Sequence, residues 1–392
     1  MIAAADYEKL RRRCADALEE SGQFGALWVR EAFESVAREA FAPSRVRISG
    51  RGDDGGRPLI DRDTEPDAWA QAVYVHDPAL ITQLDDGTTA LEAGAEGRFS
   101  SSLSSLRVVV RQLSHLDLEP GHKVLHIGTG SGYDSALLAE RTDPADIVTV
   151  EVDPTVAAVA RRNLDAAGYG RIRTVVHDGE QGWPDRAPYD RVLATASANR
   201  IPWPWVAQTA PGGVIVTPYR GLALLRLVVA DDGQSACGPV VDEMAFMVLR
   251  GQRDEELTDI GPIVRATRGE AARVRTETDL SALDGKLGAE FLFHLLVPDA
   301  VIRFGETMWW FQTRDGSSWA GLKKDGRGRQ WGPRRLLDEA EAAVTAWTKA
   351  GTPRLTELGV TVRPEGDHVW TGSADGPSWP VPTRSGCRHS LR

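Results

Sequence analysis

Three glycines separated by single residues, Gly128, Gly130 and Gly132, form the stretch of this sequence best suited to holding a ligand. The apolar run at residues 123–127 predicts a buried parallel strand, and residues 134–141 predict a helix. A strand, a glycine turn and a helix in this order present free backbone N–H groups and the positive end of a helix to a ligand. Because glycine has no Cβ, the backbone of such a turn can approach that ligand closely.

Carboxylates follow the next predicted strands of the chain. Glu151, in a β-rich run about 20 residues after the glycines, stands where a nucleotide ribose is held through its hydroxyls. Asp153 is the better candidate to cap the helix predicted from Pro154. A third predicted strand, residues 172–176, leads to Asp178 and then a glycine. The order of these residues indicates a nucleoside-binding site at the carboxyl ends of parallel strands.

The glycine spacing resembles the first motif of class I S-adenosylmethionine (SAM) methyltransferases. It differs from the G-x-G-x-x-G of dinucleotide sites, in which Tyr133 would be glycine. An NAD-dependent oxidoreductase and an α/β module that binds SAM without transferring its methyl group remain alternatives. The resemblance implies a SAM site formed by Gly128, Thr129, Gly130, Gly132, Glu151, Asp178 and Gly179.

The elements around these motifs predict an α/β fold with a doubly wound, Rossmann-like sheet, which is the class I SAM-dependent methyltransferase fold. N-terminal helices precede the sheet and a C-terminal α+β extension follows it, with a hairpin predicted around residues 314–316. We expect a catalytic domain at residues 1–232, an extension at 233–370 and a mobile tail at 371–392.

Composition excludes several classes of protein. The 392 residues carry a net charge of −10, which argues against a general nucleic-acid binder. The three cysteines are far apart, which indicates a reducing compartment and no disulfide framework. The polar N-terminus, the lack of a long apolar run and the lack of metal-ligand spacing predict a cytoplasmic protein without a membrane partner or a metal.

Several stretches together resemble the protein-L-isoaspartate O-methyltransferase family across roughly residues 25–220. They are residues 38–43, 74–77, 102–104, 187–192 and 208–214. The resemblance implies that Ser104 donates a hydrogen bond to the acceptor carboxylate. It also implies support from Ser102 and from the turn that contains Ser197. From the residues alone, the serine run around Ser104 predicts a solvated turn, with Ser104 capping the following helix.

The departures from the family pattern concern the acceptor. Ser105-Leu106 replaces Gln-Pro after the serine, His126 replaces an acid, and the family's repair enzymes are expected to lack a counterpart of residues 233–392. The extended form resembles methyltransferases of ATP-grasp peptide maturase systems, the graspetide type. That resemblance implies methylation of an aspartate in a ribosomally made precursor peptide, cyclised beforehand by an ATP-grasp ligase in some systems, followed by aspartimide formation. Isoaspartyl repair of damaged proteins is the alternative.

A basic stretch in the extension suggests where a peptide binds. Six basic residues between positions 323 and 335 follow the aromatic hairpin and reverse the sign of an otherwise acidic chain: Lys323, Lys324, Arg327, Arg329, Arg334 and Arg335. Such a patch attracts carboxylate-bearing peptides. The competing interpretation is a solvated face, with the hairpin tryptophans filling a core.

Overall fold

The computed structural model describes residues 4–50 and 57–382. They divide into two compact units. Unit 1 contains the residues up to Ala236 together with Met244–Gly251, and unit 2 contains Cys237–Glu243 and the residues from Gln252 onward. Of the predicted tail, residues 383–392 lie outside the described residues, whereas Ser378–Pro380 forms a strand.

Unit 1 combines two sheets with surrounding helices. Its helices are α1 (Ala4–Glu20), α2 (Leu27–Ser35), α3 (Pro66–Val73), α4 (Leu106–Ser114), α5 (Tyr133–Ala139), α6 (Pro154–Ala166) and α7 (Trp203–Ala207). Its strands are β1 (Arg45–Ile48), β2 (Leu59–Asp61), β3 (Leu80–Leu84), β4 (Phe99–Leu103), β5 (Val124–Ile127), β6 (Ile147–Glu151), β7 (Arg173–Val176), β8 (Tyr189–Ala194), β9 (Thr209–Tyr219) and β10 (Ala223–Val229).

The larger sheet of unit 1 has the doubly wound order. Strands β10, β9, β8, β5, β6 and β7 lie side by side in that order. Strands β5 to β9 are parallel, and β10 is antiparallel to β9. The chain runs outward from β5 through β6 to β7 and then returns to the other side of β5 with β8. Ligands of such sheets bind at the carboxyl ends of the strands beside this reversal.

The smaller sheet of unit 1, with strand order β2-β1-β3-β4, corrects the prediction of a serine-rich turn. Residues Phe99–Leu103 form strand β4, which pairs antiparallel with β3. Alternation explains why a polar run forms this strand, because Ser101 and Leu103 are buried while Ser100 and Ser102 are half-buried on the other face.

Unit 2 contains helices α8 (Gly261–Thr267), α9 (Leu287–Leu296) and α10 (Leu336–Lys349). Its strands are β11 (Ala236–Glu243), β12 (Ala272–Arg275), β13 (Ala300–Phe304), β14 (Met308–Thr313), β15 (Trp319–Lys323), β16 (Arg327–Trp331), β17 (Leu358–Val362), β18 (His368–Thr371) and β19 (Ser378–Pro380). The order β12-β16-β15-β14-β13 makes an antiparallel sheet, and the predicted hairpin is β14–β15. Phe311 and Trp319 are buried in the cores of this unit. The core-filling interpretation is therefore confirmed for both rings.

Candidate active site

The glycine turn follows β5 and adopts a backbone that other residues would strain. Gly128, Gly130 and Gly132 have φ angles of 94°, 56° and 94°. A Cβ on Gly128 would lie 2.8 Å from Thr195 Oγ1, and one on Gly132 would lie 3.0 Å from Leu164 Cγ. At Gly130 the nearest atom would be the Ser102 carbonyl oxygen, at 3.8 Å. The turn is thus packed tightly at its two ends and open in the middle, beside the serine strand.

Glu151 ends strand β6 next to this turn. Its Oε2 accepts a hydrogen bond from the Gly130 N–H at 3.0 Å, and its Oε1 accepts one from the Asp153 N–H at 3.1 Å. Burial raises the pKa of Glu151, and these two hydrogen bonds oppose that rise. The fold therefore fixes one carboxylate beside the open part of the glycine turn, where the sequence predicted the ribose contact.

Asp153 has the capping role predicted for it. Its Oδ1 accepts hydrogen bonds from the N–H groups of Thr155 at 2.9 Å and Val156 at 3.2 Å, in the first turn of α6. Its other oxygen accepts from Arg250 and Gln83, both at 3.2 Å. Arg250 also pairs with Asp86 at 3.0 Å. No sequence signal identified Arg250, because its partners lie far away along the chain.

Asp178 and Gly179 follow strand β7 at the same edge of the sheet. The exposed Asp178 accepts a hydrogen bond from the Glu180 N–H at 3.0 Å. Gly179 is buried, and a Cβ there would lie 2.6 Å from Ile127 Cγ2. The indole of Trp205 donates to the Gly179 carbonyl at 2.7 Å, which fixes the turn. The structure thus brings Asp178, Gly179, Glu151 and the glycine turn to one edge of the sheet.

The fold uses the hydroxyls of Thr129 and Ser197 for its own hydrogen bonds. The Thr129 hydroxyl is buried and lies 2.8 Å from the Thr149 hydroxyl, so only the Thr129 backbone can face a cofactor. Ser197 is fully buried, and its hydroxyl accepts a hydrogen bond from the Gly221 N–H at 3.0 Å. The N–H groups of Ser197 and Ala198 donate to the carbonyls of Met247 and Pro218 at 2.7 and 3.0 Å. The support predicted from this turn is therefore not available from these groups, which the fold already uses.

Ser104 directly follows β4 and does not cap a helix. Ser105 occupies the N-cap position of α4, and its hydroxyl donates to the His76 carbonyl and to Asp77 Oδ1, each at 2.7 Å. The capping interpretation of Ser104 is therefore wrong. Ser102 and Ser104 are half-buried, and neither hydroxyl has a hydrogen-bond partner in the part of the chain that the structure describes. Both hydroxyls are available to an acceptor.

His126 supports the glycine turn from inside the sheet, a role that the sequence did not reveal. Its Nδ1 lies 2.8 Å from Ser135 Oγ, and its Nε2 lies 3.2 Å from Thr195 Oγ1. Complete burial lowers the pKa of His126 to about 3, so the ring is neutral at physiological pH. The Thr195 hydroxyl in turn donates to the Gly128 carbonyl at 2.8 Å. The signal in the sequence was one polar residue inside an apolar strand.

The basic stretch of unit 2 is not one free positive patch. Arg327 pairs with Asp325, with nitrogen–oxygen distances of 2.8 and 2.5 Å, and Arg329 donates to the Arg268 carbonyl at 2.7 Å. Lys323 and Lys324 line a groove of about 850 Å³. The carboxylates that line the same groove are Glu277, Asp279, Asp284, Glu306 and Asp325. Carboxylates thus outnumber the lysines there, against the sequence expectation.

Comparison with known proteins identifies the family. The family model "Protein-L-isoaspartate(D-aspartate) O-methyltransferase (PCMT)" matches residues 88–253, which include the serine strand and the glycine turn. A protein-L-isoaspartate O-methyltransferase of Hyperthermus butylicus is 32% identical over 258 residues, covering 63% of this chain and 90% of the relative. One from Methanopyrus kandleri is 34% identical over 233 residues, covering 58% and 86%. The chain belongs to the protein-L-isoaspartate O-methyltransferase family.

Family membership confirms the enzyme class and the cofactor. The chain has the class I fold of SAM-dependent carboxyl O-methyltransferases, and SAM is its methyl donor. A solved protein-L-isoaspartate O-methyltransferase matches with a TM-score of 0.50 and 18% identity, covering 93% of this chain and all of that one. Coverage of 93% extends into residues 233–392. The expectation that family enzymes lack a counterpart of this region is therefore wrong at the level of fold.

Two kinds of feature are absent from residues 4–50 and 57–382. No helix there combines the length and the apolar character needed to cross a membrane. Among the same residues, no group of three or more His, Cys, Asp or Glu side chains could hold a metal ion.

Proposed function

We propose that this protein methylates a side-chain carboxylate of a peptide and that Ser104 orients that carboxylate. The observation that supports this most is the Ser104 hydroxyl, which follows the strand beside the glycine turn and has no hydrogen-bond partner among residues 4–50 and 57–382. A hydroxyl that is not engaged within the fold can donate a hydrogen bond to an oxygen of the incoming carboxylate. Ser102, on the same strand, has a second hydroxyl of this kind.

The residues at the sheet edge fit SAM. Each oxygen of Glu151 already accepts one backbone N–H and keeps a lone pair for a ribose hydroxyl. The missing Cβ of Gly130 leaves the middle of the turn open to the cofactor. Asp178 lies at the end of the third parallel strand, where we place the adenine.

The chemistry places few demands on the protein. When bound, SAM supplies a methyl group whose bond to sulfur breaks, with the electron pair leaving on sulfur, as the carboxylate oxygen bonds to carbon. The acceptor carboxyl has a pKa near 4, so it is ionised at neutral pH and no general base is needed. The task of the residues is to align oxygen and methyl and to exclude water, which is an entropic and electrostatic contribution. Ser104 performs the alignment by donating one hydrogen bond.

Two acceptors remain candidates. The matched relatives are named for isoaspartate, which supports an isoaspartyl residue of a damaged protein. The second candidate is an aspartate of a ribosomally made precursor peptide, cyclised beforehand by an ATP-grasp ligase in some systems. The departure that favours it is Ser105, which stands where the family resemblance implies glutamine and whose hydroxyl is tied to Asp77. There, the next amide nitrogen would attack the ester, expel methanol and close an aspartimide.

Mass spectrometry of paired peptides tests the proposal and separates the acceptors. The purified chain is incubated with methyl-labelled SAM and peptides that differ only in aspartate or isoaspartate at one position. A labelled ester on one member of the pair identifies the acceptor, and loss of methanol from the aspartyl ester identifies the aspartimide route. Ser104→Ala should slow transfer roughly 10-fold, the loss of about one hydrogen bond, with unchanged SAM affinity. No label on either peptide would contradict the proposed activity.

We further propose that the groove of unit 2 contacts the acceptor peptide away from the methylated residue. Lys323 and Lys324 lie there beside Trp309 and the exposed Phe304, whose rings meet edge to face at 5.3 Å. Together they offer a surface of mixed charge with an apolar anchor, a common composition for binding sites of polar ligands. Arg327 contributes indirectly by pairing with Asp325, which lines the groove, whereas Arg329 does not line it.

Charge reversal in the groove tests this role of unit 2. Lys323→Glu with Lys324→Glu should raise the KM for the peptide and leave SAM affinity unchanged. The control pair is Arg273→Glu with Lys349→Glu, two exposed cations that do not line the groove. Equal peptide KM values in the two double variants would contradict a role for the groove.

A further inference from the structure

A buried guanidinium lies directly behind Ser104. Arg38 occupies a short 3₁₀ turn after α2, and only 1% of its surface is exposed. Its Nη2 donates a hydrogen bond to the Ser104 carbonyl at 2.8 Å. Its guanidinium carbon lies 5.0 Å from the centre of the Tyr133 ring. One side chain thus contacts both the serine proposed to orient the acceptor and the helix that begins after Gly132.

The hydrogen bonds of Arg38 leave most of its guanidinium unsatisfied. Its Nε and Nη1 have no hydrogen-bond partner among the described residues. The nearby carboxyl is Asp134, which forms no ion pair with Arg38 within 4 Å in the described structure and leaves Oδ1 unpartnered. Burial raises the pKa of Asp134 to about 6, and Arg38 opposes that rise. A buried cation with incomplete hydrogen bonding is costly, so its retention calls for a function.

Ser104 is held from both sides by this arrangement. Arg38 fixes its carbonyl, and the following residue, Ser105, is anchored through its hydroxyl to His76 and Asp77. The Ser104 hydroxyl is then the polar group of this segment that remains available to a ligand. The Arg38 cation behind it adds a positive contribution to the potential at this peptide group, which favours a carboxylate over its neutral isostere, a carboxamide.

We propose that Arg38 is a positioning residue that fixes the Ser104 peptide group and supplies the positive charge that selects a carboxylate acceptor. The inference rests on the proposed function, because it assumes that the acceptor meets Ser104. It adds a specificity: the site accepts aspartyl or isoaspartyl side chains and rejects the corresponding amides. Arg38 performs both tasks from behind the backbone, without touching the substrate.

Two substitutions separate the charge from the geometry. Arg38→Met removes the charge and should raise the KM for the peptide about 10-fold with a smaller effect on kcat. Arg38→Lys keeps the charge and loses the planar fork, so it should hold KM near the wild-type value while kcat falls several-fold. The matched control is Arg30→Met on α2, whose guanidinium pairs with Asp16 and Glu34 and is partly exposed. Thermal unfolding of all three variants reports any general loss of fold.

A mutant cycle with Ser104→Ala tests whether Arg38 acts through Ser104. If it does, Arg38→Lys should reduce kcat much less in the Ser104→Ala background than in the wild type. Equal reductions in both backgrounds would overturn the positioning role. A merely structural role would lower the melting temperature without producing this non-additivity.

A direct measurement of peptide affinity tests the selecting role of Arg38 without requiring turnover. Calorimetry with S-adenosylhomocysteine present compares an acceptor peptide with its carboxamide counterpart. The wild type should prefer the carboxylate about 10-fold, and Arg38→Met should bind both alike, by loss of affinity for the carboxylate. A preference that survives in Arg38→Met would overturn the selecting role. Failure of the proposed function would appear differently, as a wild type that forms no methyl ester on any peptide.

Discussion

The sequence predicts a function for both the glycine turn of unit 1 and the basic stretch of unit 2. The two regions differ in the property on which that function depends. In the turn, the important property is the backbone, which takes positive φ at each glycine and packs against Thr195 and Leu164. Side chains of other residues cannot cancel that geometry. The spacing along the chain therefore predicted the conformation of the turn.

In the basic stretch, the important property is charge, and neighbours in the fold can cancel it. Arg334 pairs with Glu339 and donates to the Pro298 carbonyl at 2.8 Å, and Arg335 lies 3.6 Å from Asp338. The side chains of these pairs keep a quarter to two thirds of their exposure, which makes such pairs weak. A motif based on backbone conformation therefore keeps its predicted property in the fold, whereas a run of charges can lose it to ion pairs with neighbouring residues.

Replacing Gly128 should give the largest effect in this comparison. Gly128→Ala places a methyl group 2.8 Å from Thr195 Oγ1 at a φ of 94°. The strain of about 1–3 kcal/mol should move the turn and weaken SAM binding on the order of 100-fold. The control is Gly121→Ala, at a φ of 85° with open space around it, which should leave SAM affinity unchanged. Equal SAM affinities of the two variants in calorimetry would show that the backbone conformation at Gly128 does not control SAM binding.

Glu151→Gln should have the next largest effect, weakening SAM binding about 10-fold by loss of charge-assisted hydrogen bonds. The pH dependence has a definite sign. Because the pKa of Glu151 is raised by burial, the carboxylate becomes protonated at a higher pH than an exposed glutamate as the solution is acidified. SAM affinity of the wild type should therefore fall on acidification through that raised pKa, and affinity of the variant should stay flat over the same range. A wild type without this decline would remove Glu151 from the site.

Asp153→Ala should give a smaller effect, seen in stability. Loss of the α6 cap should reduce the free energy of unfolding by about 1 kcal/mol. The pKa of Asp153 is lowered, so its contribution is present above the ordinary pKa of aspartate and is lost as pH falls through the lowered value. Urea unfolding at neutral and strongly acidic pH should show the difference between wild type and variant disappearing in acid. A difference that persists in acid would contradict capping by the ionised carboxylate.

Arg327→Ala should give the smallest effect, with no measurable change in melting temperature. Its partner Asp325 is two residues away, and both side chains are largely exposed, so solvent and salt screen the pair. Holding the Asp325 pKa at about 2 requires Arg327, so the variant should show that pKa rising towards its ordinary value in an NMR titration. A clear loss of stability would show that this stretch is more structural than its exposure indicates.

Features formed by residues close together in the chain could be predicted, whereas features that depend on a distant segment could not. The glycine turn, the Asp153 cap and the β14–β15 hairpin were all identified, since each involves residues close together in the chain. Strand β4 was interpreted as a turn because its pairing partner, β3, lies in another segment. The interpretation of Ser104 as a helix cap was wrong by one residue, because Ser105 occupies the N-cap position of α4. The Ser105 hydroxyl bonds to His76 and Asp77, which lie in another segment.

The sequence by itself predicted which edge of the sheet is the candidate SAM site, because ligands of such sheets bind at the carboxyl ends of the strands, where the glycine turn and the acids follow. Tertiary structure alone decided which hydroxyls and charges remain available. It buried Ser197, used the Thr129 hydroxyl within the sheet and left that of Ser104 without a partner among the described residues. It also placed Arg38 against a carbonyl 66 residues away. A polar group is available only if no other segment satisfies it, and that depends on contacts formed once the whole chain has closed.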